Sequence, residues 1–302
     1  MTPPATHTAA FRRLLTAGPI VTAPGVYDTL TALLAEQAGF PAAFVSGSAL
    51  GYAMLGRPDV GLLSADEVAG VVARIRERLS LPLLVDADTG FGNALNVQRT
   101  VRMFERAGAS GLQLEDQVNF KPPGAAASRP VIPLAEMVGK IKAALDARTD
   151  ADFIVSARTD AATTLGPDEA IRRGIAFAAA GADMVFVESL ANRADIERLA
   201  RELAGRVPLL FNLLDGAAAP IQTVAELQAL GFRMALFPGA AVQGALAGAR
   251  AALEKVRAAG SNAPLRAPLT VALPDAKGVN AAIGAPAFLD TGKAYDPQAH
   301  GR

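Results

Sequence analysis

Eight short apolar runs along the chain constrain its fold more than any other feature of the sequence. Each run is rich in Val, Ile, Leu or Phe, and segments with helical periodicity separate one run from the next. The runs are PIVTAPGVY (19–27), AAFVSG (42–47), LPLLVDAD (81–88), GLQLED (111–116), DFIVSARTD (152–160), DMVFVES (183–189), PLLFNLL (208–214) and MALFPG (234–239). Nearly continuous apolar strands that alternate with helices indicate a parallel sheet with both faces covered. The sequence therefore predicts eight strand–helix units.

The predicted helices have recognisable ends. Ser64 with Glu67, and Thr223 with Glu226, follow the capping-box pattern that starts a helix, and Pro167 suits a first helical position. Glycines in AGF, AGA, AGA and LGF (38–40, 107–109, 180–182, 230–232) end four helices just before a strand. We expect a (β/α)8 barrel, with an open doubly wound sheet as the alternative. No G-x-G-x-x-G follows the first run, which weakens the dinucleotide-binding version of that alternative.

The last part of the chain differs in composition from the rest. From about residue 262 it is rich in Pro, Gly and Ala. We predict a barrel domain over residues 1–261 and a C-terminal arm over residues 262–302. The arm is expected to lie outside the barrel or to contact another subunit.

Charge and residue types exclude several classes of function. The 29 basic and 29 acidic residues cancel, so neither nucleic acid nor a membrane is an expected partner. The absence of cysteine excludes disulfides, thiolate zinc sites and a nucleophilic thiol. The only histidines, His7 and His300, lie near the termini, where chains are usually poorly ordered, so a histidine base in the core is not expected. With no signal-peptide pattern and no long apolar run, we expect a soluble cytoplasmic protein.

Polar side chains collect where the predicted strands end, which is where barrel enzymes keep their active sites. In chain order they are Tyr27, Asp28, Ser46, Gly47, Ser48, Asp86, Asp88, Glu115, Asp116, Arg158, Asp160, Glu188, Asn212 and Asp215, with Asp59 in the loop after the second run. Residues two apart in a strand point to the same side, so Asp86 and Asp88 would project toward one ion. Several carboxylates beside one evident arginine need a neutralising cation, most simply Mg²⁺.

Other strand-end residues suggest how a substrate is held. Arg158 has no close competitor at its level of the strand ends, and its planar guanidinium suits a substrate carboxylate. The alternative is a salt bridge to Glu188 or Asp160, which is compatible with the substrate role. Ser46 and Gly47 offer a hydroxyl and backbone N–H groups to another oxyanion. Tyr52 is a candidate proton donor. Asp28 and Asp116 are interpreted as a helix cap or as supporting partners rather than as ligands.

Seven motifs resemble those of the isocitrate lyase and phosphoenolpyruvate mutase superfamily. They occur over roughly residues 10–255 in the order expected for that superfamily. They are PGVYD (24–28), FVSGSALGYAMLGRPDVGLLS (44–64), VDADTGFGN (85–93), GLQLEDQV (111–118), SARTDA (156–161), VFVES (185–189) and FNLLDG (211–216). The resemblance implies a (β/α)8 barrel, typically a tetramer whose C-terminal helices swap between neighbours. It also implies chemistry on a small carboxylic acid through a pyruvate-like enolate chelated by Mg²⁺, for which Mn²⁺ can substitute.

The resemblance also implies roles for single residues. Asp88 would bind Mg²⁺ directly, while Asp59, Asp86 and Glu115 would hold its waters. The predicted substrate contacts are Tyr27, Ser46, Gly47, Ser48, Asp88, Arg158, Glu188 and Asn212. The predicted catalytic residues are Arg158, Glu115 and Tyr52.

One loop departs from the family pattern. Members that cleave isocitrate or methylisocitrate carry K-[KR]-C-G-H after the fourth strand, and its cysteine is their proton donor. The corresponding segment here is NFKPPGAAASRPVIP (119–133), where Lys121 and Gly124 align but cysteine and histidine are absent. The phosphonate branches use an asparagine in this loop, and Asn119 lies too early to replace it. The mechanism of the oxaloacetate decarboxylase branch depends least on the residues of this loop.

Three functions follow in order of preference. The first is a Mg²⁺-dependent carbon–carbon lyase on a small 2-oxo or 2-hydroxy dicarboxylate, with oxaloacetate-type decarboxylation favoured over retro-aldol cleavage. The second is a phosphonopyruvate mutase or hydrolase, or a lyase on a bulkier substrate of specialised metabolism. The third is a binding protein that has lost catalysis. A homo-oligomer, dimer or tetramer, is expected in each case.

Overall fold

Eight parallel strands close into a barrel in chain order in this computed structural model, which describes residues 6–118, 129–214, 219–262 and 276–293. The strands are β1 (Val21–Val26), β2 (Ala43–Val45), β3 (Leu83–Asp86), β4 (Gly111–Glu115), β5 (Ile154–Thr159), β6 (Met184–Val187), β7 (Leu209–Asn212) and β8 (Met234–Phe237). Each predicted run contains one of these strands. The predicted (β/α)8 barrel is therefore confirmed, and the open doubly wound sheet is excluded.

Helices separate the strands as the periodicity predicts. They are α1 (His7–Thr16), α2 (Thr29–Gln37), α3 (Gly47–Leu50), α4 (Ala65–Arg78), α5 (Ala94–Ala107), α6 (Leu134–Ala147), α7 (Ala162–Ala179), α8 (Arg193–Leu203), α9 (Val224–Ala229), α10 (Ala240–Ala259), α11 (Ala276–Ala282) and α12 (Ala285–Lys293). One π-helical turn, Gly51–Leu55, follows α3 directly.

The predicted helix ends are confirmed. Glu67 Oε2 accepts the backbone N–H of Ser64 at 2.8 Å, and Thr223 and Glu226 form the equivalent box at the start of α9. The backbone of Gly166 leaves the helical region, so the regular part of α7 restarts at Pro167, as predicted. The glycines predicted to end four helices all have positive φ: Gly39, Gly108, Gly181 and Gly231.

Side chains on the strands alternate between the barrel interior and the surrounding helices. Leu112 and Leu114 of β4 belong to the apolar layer under the helices, and the residues between and beyond them face inward. Apolar side chains fill the lower interior, joined by two residues of α1: Phe11, Leu15, Val21, Ala23, Phe44, Leu84, Ile154, Met184, Phe186, Leu210, Met234 and Leu236. This packing leaves the C-terminal ends of the strands for polar side chains.

Barrel closure depends on one glycine. A Cβ atom on Gly25 of β1 would lie 2.1 Å from the carbonyl oxygen of Pro238, just after β8. Because β1 and β8 pair directly, only a residue without a side chain allows this approach.

The chain divides into two compact units, residues 1–242 and 243–302. The first contains the whole barrel. The second contains most of α10, together with α11 and α12, and none of the residues of α10 is buried. The predicted boundary at residue 262 remains a prediction. Within the described residues, no helix has the length and apolar character needed to cross a membrane.

Candidate active site

A cavity of about 520 Å³ lies at the C-terminal ends of the strands. Predicted site residues in its lining are Ser46, Ser48, Tyr52, Asp59, Asp86, Arg158, Glu188 and Asn212. Gly47 and Asp88 line a small adjoining pocket, which shares Asp59 with the main cavity. Tyr27 is not among the lining residues of either pocket and packs partly against the core. Its pKa is raised by burial and by the neighbouring Asp28.

Three of the four predicted metal-site carboxylates meet beside this cavity. Asp86, Asp88 and Glu115 each offer an oxygen atom, and these atoms lie within 4.8 Å of one another. Glu115 is buried, while the two aspartates are partly exposed. Asp59 is exposed and does not belong to this group. A set of carboxylate oxygens alone suits a hard cation such as Mg²⁺ or Mn²⁺.

The two aspartates meet through a turn, not through the strand alternation that we predicted. Strand β3 ends at Asp86, and Asp88 has φ 45°, in the left-handed region. Asp86 is held by two backbone N–H groups: Gly47 donates to Oδ2 and Asp88 donates to Oδ1, both at 3.2 Å. Behind the turn, buried Lys140 donates from Nζ to the carbonyl oxygen of Thr89 at 3.0 Å. These hydrogen bonds fix the orientation of the Asp86 carboxylate and support the turn that carries Asp88.

Gly47 is engaged differently from its predicted role. Its backbone N–H, expected to reach a substrate oxyanion, donates to Asp86. Ser46 caps the short helix α3, and its Oγ lies 3.1 Å from that of Ser48. Both hydroxyls line the cavity. Tyr52, in the turn that follows, is 49% exposed and also lines it.

Arg158 lies among carboxylates. Its Nε donates to Asp160 Oδ2 at 2.9 Å, its Nη2 donates to Asp160 Oδ1 at 2.8 Å, and its Nη1 is 3.5 Å from Glu115 Oε2. Burial favours the neutral form, but Asp160, Glu115 and Glu188 outweigh it and hold the pKa of Arg158 well above its ordinary value. The Asp160 partnership that we weighed against substrate binding therefore exists and occupies one edge of the guanidinium.

A second arginine contradicts the prediction that Arg158 has no competitor. Arg129 lines the cavity, its Nη1 binds Asp160 Oδ1 at 2.5 Å, and the same nitrogen is 4.0 Å from Glu188 Oε1. Burial would raise the pKa of Asp160, but Arg158 and Arg129 together keep it below its ordinary value. Sequence reasoning missed Arg129 because it comes from the loop after β4, far from any strand end.

Glu188 and Asn212 form a hydrogen-bonded pair across β6 and β7. Asn212 Nδ2 donates to Glu188 Oε2 at 3.0 Å, and Ser189 Oγ donates to Glu188 Oε1 at 3.2 Å. Asn212 Oδ1 is buried without a hydrogen-bond partner among the described residues. It is an acceptor available to a ligand.

Asp28 and Asp116, which we interpreted as a helix cap or as supporting partners, make contacts of these kinds. Asp28 caps α2 by accepting the backbone N–H of Thr31 at 2.7 Å. Asp116 is buried. It accepts hydrogen bonds from Thr159 and Asp160, which link the ends of β4 and β5, and another from Arg173 of α7. Burial raises the pKa of Asp116 in spite of these bonds.

Some predicted residues lie outside the described part of the chain. They are Asn119, Lys121 and Gly124 of the loop after β4, and Asp215 after β7.

The sequence is similar to those of known proteins over most of its length. The family model of phosphoenolpyruvate phosphomutase matches residues 11–257. The chain is 44% identical over 234 residues to 2,3-dimethylmalate lyase of Eubacterium barkeri, a match that covers 78% of this chain and 80% of the relative. It is 43% identical over 230 residues to 2-methylisocitrate lyase of Escherichia coli, covering 76% and 77%.

Solved structures share the fold over nearly the whole chain. Oxaloacetate acetylhydrolase in complex with 3,3-difluorooxalacetate has a TM-score of 0.87 at 29% identity, covering 96% of this chain and 97% of that one. Phosphonopyruvate hydrolase in complex with oxalate and Mg²⁺ has a TM-score of 0.83 at 33% identity, covering 95% and 98%. The family match, the identities and the shared barrel show that this chain belongs to the phosphoenolpyruvate mutase/isocitrate lyase superfamily.

Proposed function

We propose that the protein is a Mg²⁺-dependent carbon–carbon lyase that acts on a small 2-oxo or 2-hydroxy dicarboxylate. The observation that carries this proposal is the meeting of Asp86, Asp88 and Glu115 beside a cavity that Arg158 also lines. Carboxylates to hold a cation and a guanidinium to hold an acid are the two elements that such a reaction needs. The relatives named as lyases support the same reaction class.

The three carboxylates of Asp86, Asp88 and Glu115, called the carboxylate group below, would hold the metal ion. Asp88 is the proposed direct ligand, and Asp86 and Glu115 are proposed to hold waters of the ion. Asp59 lies outside this group but lines the same small pocket as Asp88, and it is proposed to hold a further water of the ion. A Mg²⁺ ion held there would supply Lewis-acid stabilisation of the negative charge that develops on the substrate. Asp86 would keep its orientation because Gly47 and Asp88 already donate to both of its oxygens.

Arg158 would orient the acid. Asp160 occupies the edge of the guanidinium formed by Nε and Nη2, and Nη1 lies 3.5 Å from Glu115 Oε2. The remaining N–H groups, at the end between Nη1 and Nη2, are proposed to face a substrate carboxylate. The Ser46 and Ser48 hydroxyls line the same cavity and are proposed to donate to another substrate oxygen. These contacts position the bond that breaks.

Decarboxylation is the favoured reaction because the chain has no cysteine to act as a proton donor. The bond between the methylene carbon and the distal carboxylate breaks, CO₂ leaves, and the electron pair stays with the remaining 2-oxo acid. A proton then adds to the methylene carbon, either from Tyr52, which lines the cavity, or from water. Glu188 and Asn212 are proposed to contact the departing end of the substrate.

Retro-aldol cleavage of a branched 2-hydroxy dicarboxylate is the second candidate. It is favoured by the 44% identity to a 2,3-dimethylmalate lyase. The same metal site and the same arginine would serve this reaction. The bond between C2, which carries the hydroxyl, and C3 would break, and the hydroxyl proton would pass to a base as the C2 carbonyl forms. The electron pair would stay on C3 of the departing acid, which would take a proton from water or from Tyr52. The two candidates differ in whether CO₂ is released.

The protein is also proposed to be a homo-oligomer. No residue of α10 is buried, and Leu246 and Leu253 of this helix are 59% and 69% exposed. Leucines seven residues apart lie on one face of a helix, and an exposed apolar face is typical of a subunit contact.

A substrate panel with and without Mg²⁺ tests the proposal. Release of pyruvate, CO₂ and phosphate is followed from oxaloacetate, 2,3-dimethylmalate, methylisocitrate and phosphonopyruvate. We expect Mg²⁺-dependent turnover of one dicarboxylate, with loss of activity and of Mg²⁺ binding in Asp88→Ala. Asp28→Ala, which removes a helix cap, is the matched control and should keep both. Phosphate release would contradict the proposal. So would turnover that is independent of Mg²⁺ and is retained in Asp88→Ala.

A further inference from the structure

The cavity floor holds a buried amide that the proposed reaction leaves unassigned. Gln113 lies in the middle of β4, is 1% exposed and lines the cavity. Neither its Nε2 nor its Oε1 has a hydrogen-bond partner within the described ranges. Most buried polar groups in proteins are hydrogen-bonded, so this amide requires an explanation.

Gln113 lies one inward position below Glu115 on β4 and level with Asp86, and both of these residues belong to the carboxylate group. The strand register places it beside Asp86 of β3 on one side and Ser156 of β5 on the other. Glu115, two residues farther along β4, is the next inward side chain and belongs to the carboxylate group. A ligand held at that group would therefore present its deepest atoms to Gln113.

Because Gln113 lines the cavity, the missing partner of its amide is expected to lie in the cavity. Leaving a buried amide without hydrogen bonds destabilises the folded protein, and a side chain such as leucine would avoid that cost. Residues that lower stability in this way are expected at binding sites, where a bound ligand restores the lost bonds. Asp86 and Glu115 are acceptors when ionised, so the N–H donors of the amide, like those of the nearby Arg158, suit an oxygen of an anionic ligand.

We propose that Gln113 is a specificity-determining residue whose Nε2 donates a hydrogen bond to the deepest oxygen of the acid head group of the substrate. The inference rests on the proposed function, since it requires an acid held at the carboxylate group. The ligand class is a small acid with a 2-oxo or 2-hydroxy carboxylate. An alkyl group could not replace the acceptor oxygen at this position.

The neighbouring Ser156 provides a matched comparison. Its Oγ is equally buried and also lacks a hydrogen-bond partner among the residues described. It is absent from the lining of the cavity, in contrast to Gln113. Removing either side chain therefore removes an unsatisfied buried group, but only Gln113 should change ligand affinity.

Oxalate binding measures this difference. Oxalate is a planar pair of joined carboxylates and mimics the head group of a 2-oxo acid. Its affinity is measured by isothermal titration calorimetry at saturating Mg²⁺ for the unchanged protein, Gln113→Leu, Gln113→Met and Ser156→Ala. Thermal unfolding of each protein is recorded without oxalate, and the second Gln113 variant serves if the first does not fold.

We expect the Kd for oxalate to rise about 10- to 100-fold in both Gln113 variants, as for a lost hydrogen bond to a charged group. Their Tm without oxalate should be unchanged or higher, and Ser156→Ala should leave the Kd within about twofold. An unchanged Kd in the Gln113 variants, or an equal rise in Ser156→Ala, would overturn the inference alone. Failure of the unchanged protein to bind oxalate with Mg²⁺ would overturn the proposed function and the inference with it.

Discussion

Asp160 joins two arginines at the rim of the cavity, because its carboxylate accepts two hydrogen bonds from Arg158 and one from Arg129. The Asp160 side chain is fully buried, and the arginines carry the charges that make this burial tolerable. The same carboxylate therefore fixes the direction of Arg158 and links it to the loop after β4. Asp160 is a positioning residue in this arrangement, since it does not line the cavity itself.

Replacing Asp160 by asparagine should weaken both the site and the fold. Removal of one partner of a buried ion pair typically costs about 3–5 kcal/mol, and a misdirected Arg158 should lower kcat/KM at least about 10-fold. Urea unfolding and steady-state kinetics on the substrate found by the panel measure the two effects. Asp168→Asn is the control, because Asp168 is 88% exposed in its ion pair with Arg198. Equal behaviour of the two variants would show that Asp160 has no positioning role.

The turn that carries Asp88 depends on a buried lysine. Lys140 donates to the Thr89 carbonyl oxygen, and burial lowers its pKa although Glu136 opposes the shift. Lys140→Met keeps the length of the side chain but loses this bond, so we expect a loss of about 1.5–3 kcal/mol in stability and a weaker Mg²⁺ affinity. Calorimetric Mg²⁺ titration and urea unfolding are the measurements. Lys142→Met, on the exposed face of the same helix, should change neither; Mg²⁺ affinity unchanged in Lys140→Met would refute the coupling.

His7 predicts a pH dependence of stability. We expected this histidine in a poorly ordered terminus, but it starts α1, and its Nδ1 lies 3.0 Å from Ser110 Oγ. Burial and the charge of Arg76 lower its pKa to about 4, although Asp150 opposes the shift. Between about pH 6.5 and about pH 4, His7 is therefore protonated in the unfolded chain but neutral in the folded protein. The free energy of unfolding should fall as the pH is lowered through this window.

The test of this pH dependence is urea unfolding across the same window. His7→Gln should show a shallower loss of stability than the unchanged protein. His300→Gln replaces the only other histidine and should keep the original slope. If both variants kept that slope, carboxylates and not His7 would control the acid sensitivity.

The exposed leucines of α10 predict the state of association. A double substitution, Leu246→Glu with Leu253→Glu, places two charges on the proposed contact face and should shift a dimer or tetramer toward smaller species. Size-exclusion chromatography with light scattering gives the mass directly. Leu95→Glu, at a leucine of α5 that is 74% exposed, is the matched control. A monomeric unchanged protein would contradict the proposal.

Much of the fold could be predicted from the sequence because the constraints are local. A parallel strand buried on both faces needs a nearly unbroken apolar run, and each helix needs its own caps, so the pattern of strands and helices is legible one segment at a time. The strand-end residues could also be identified, since parallel strands of a barrel bring their C-terminal ends together. Asp86, Asp88 and Glu115 are the clearest case.

The tertiary structure decided which of these residues meet, because hydrogen bonds between distant segments have no local signal. It placed Asp59 outside the carboxylate group, turned the N–H of Gly47 toward Asp86, and brought Arg129 and Lys140 to the site from a loop and a helix. The sequence did contain a signal for Gln113, since it is a polar residue inside an apolar run, two positions before Glu115. This signal could have identified it as a residue of the site. By itself the sequence determined a barrel with acids at one end. Only the folded chain, by fixing distances between side chains far apart in sequence, decided which groups share a site.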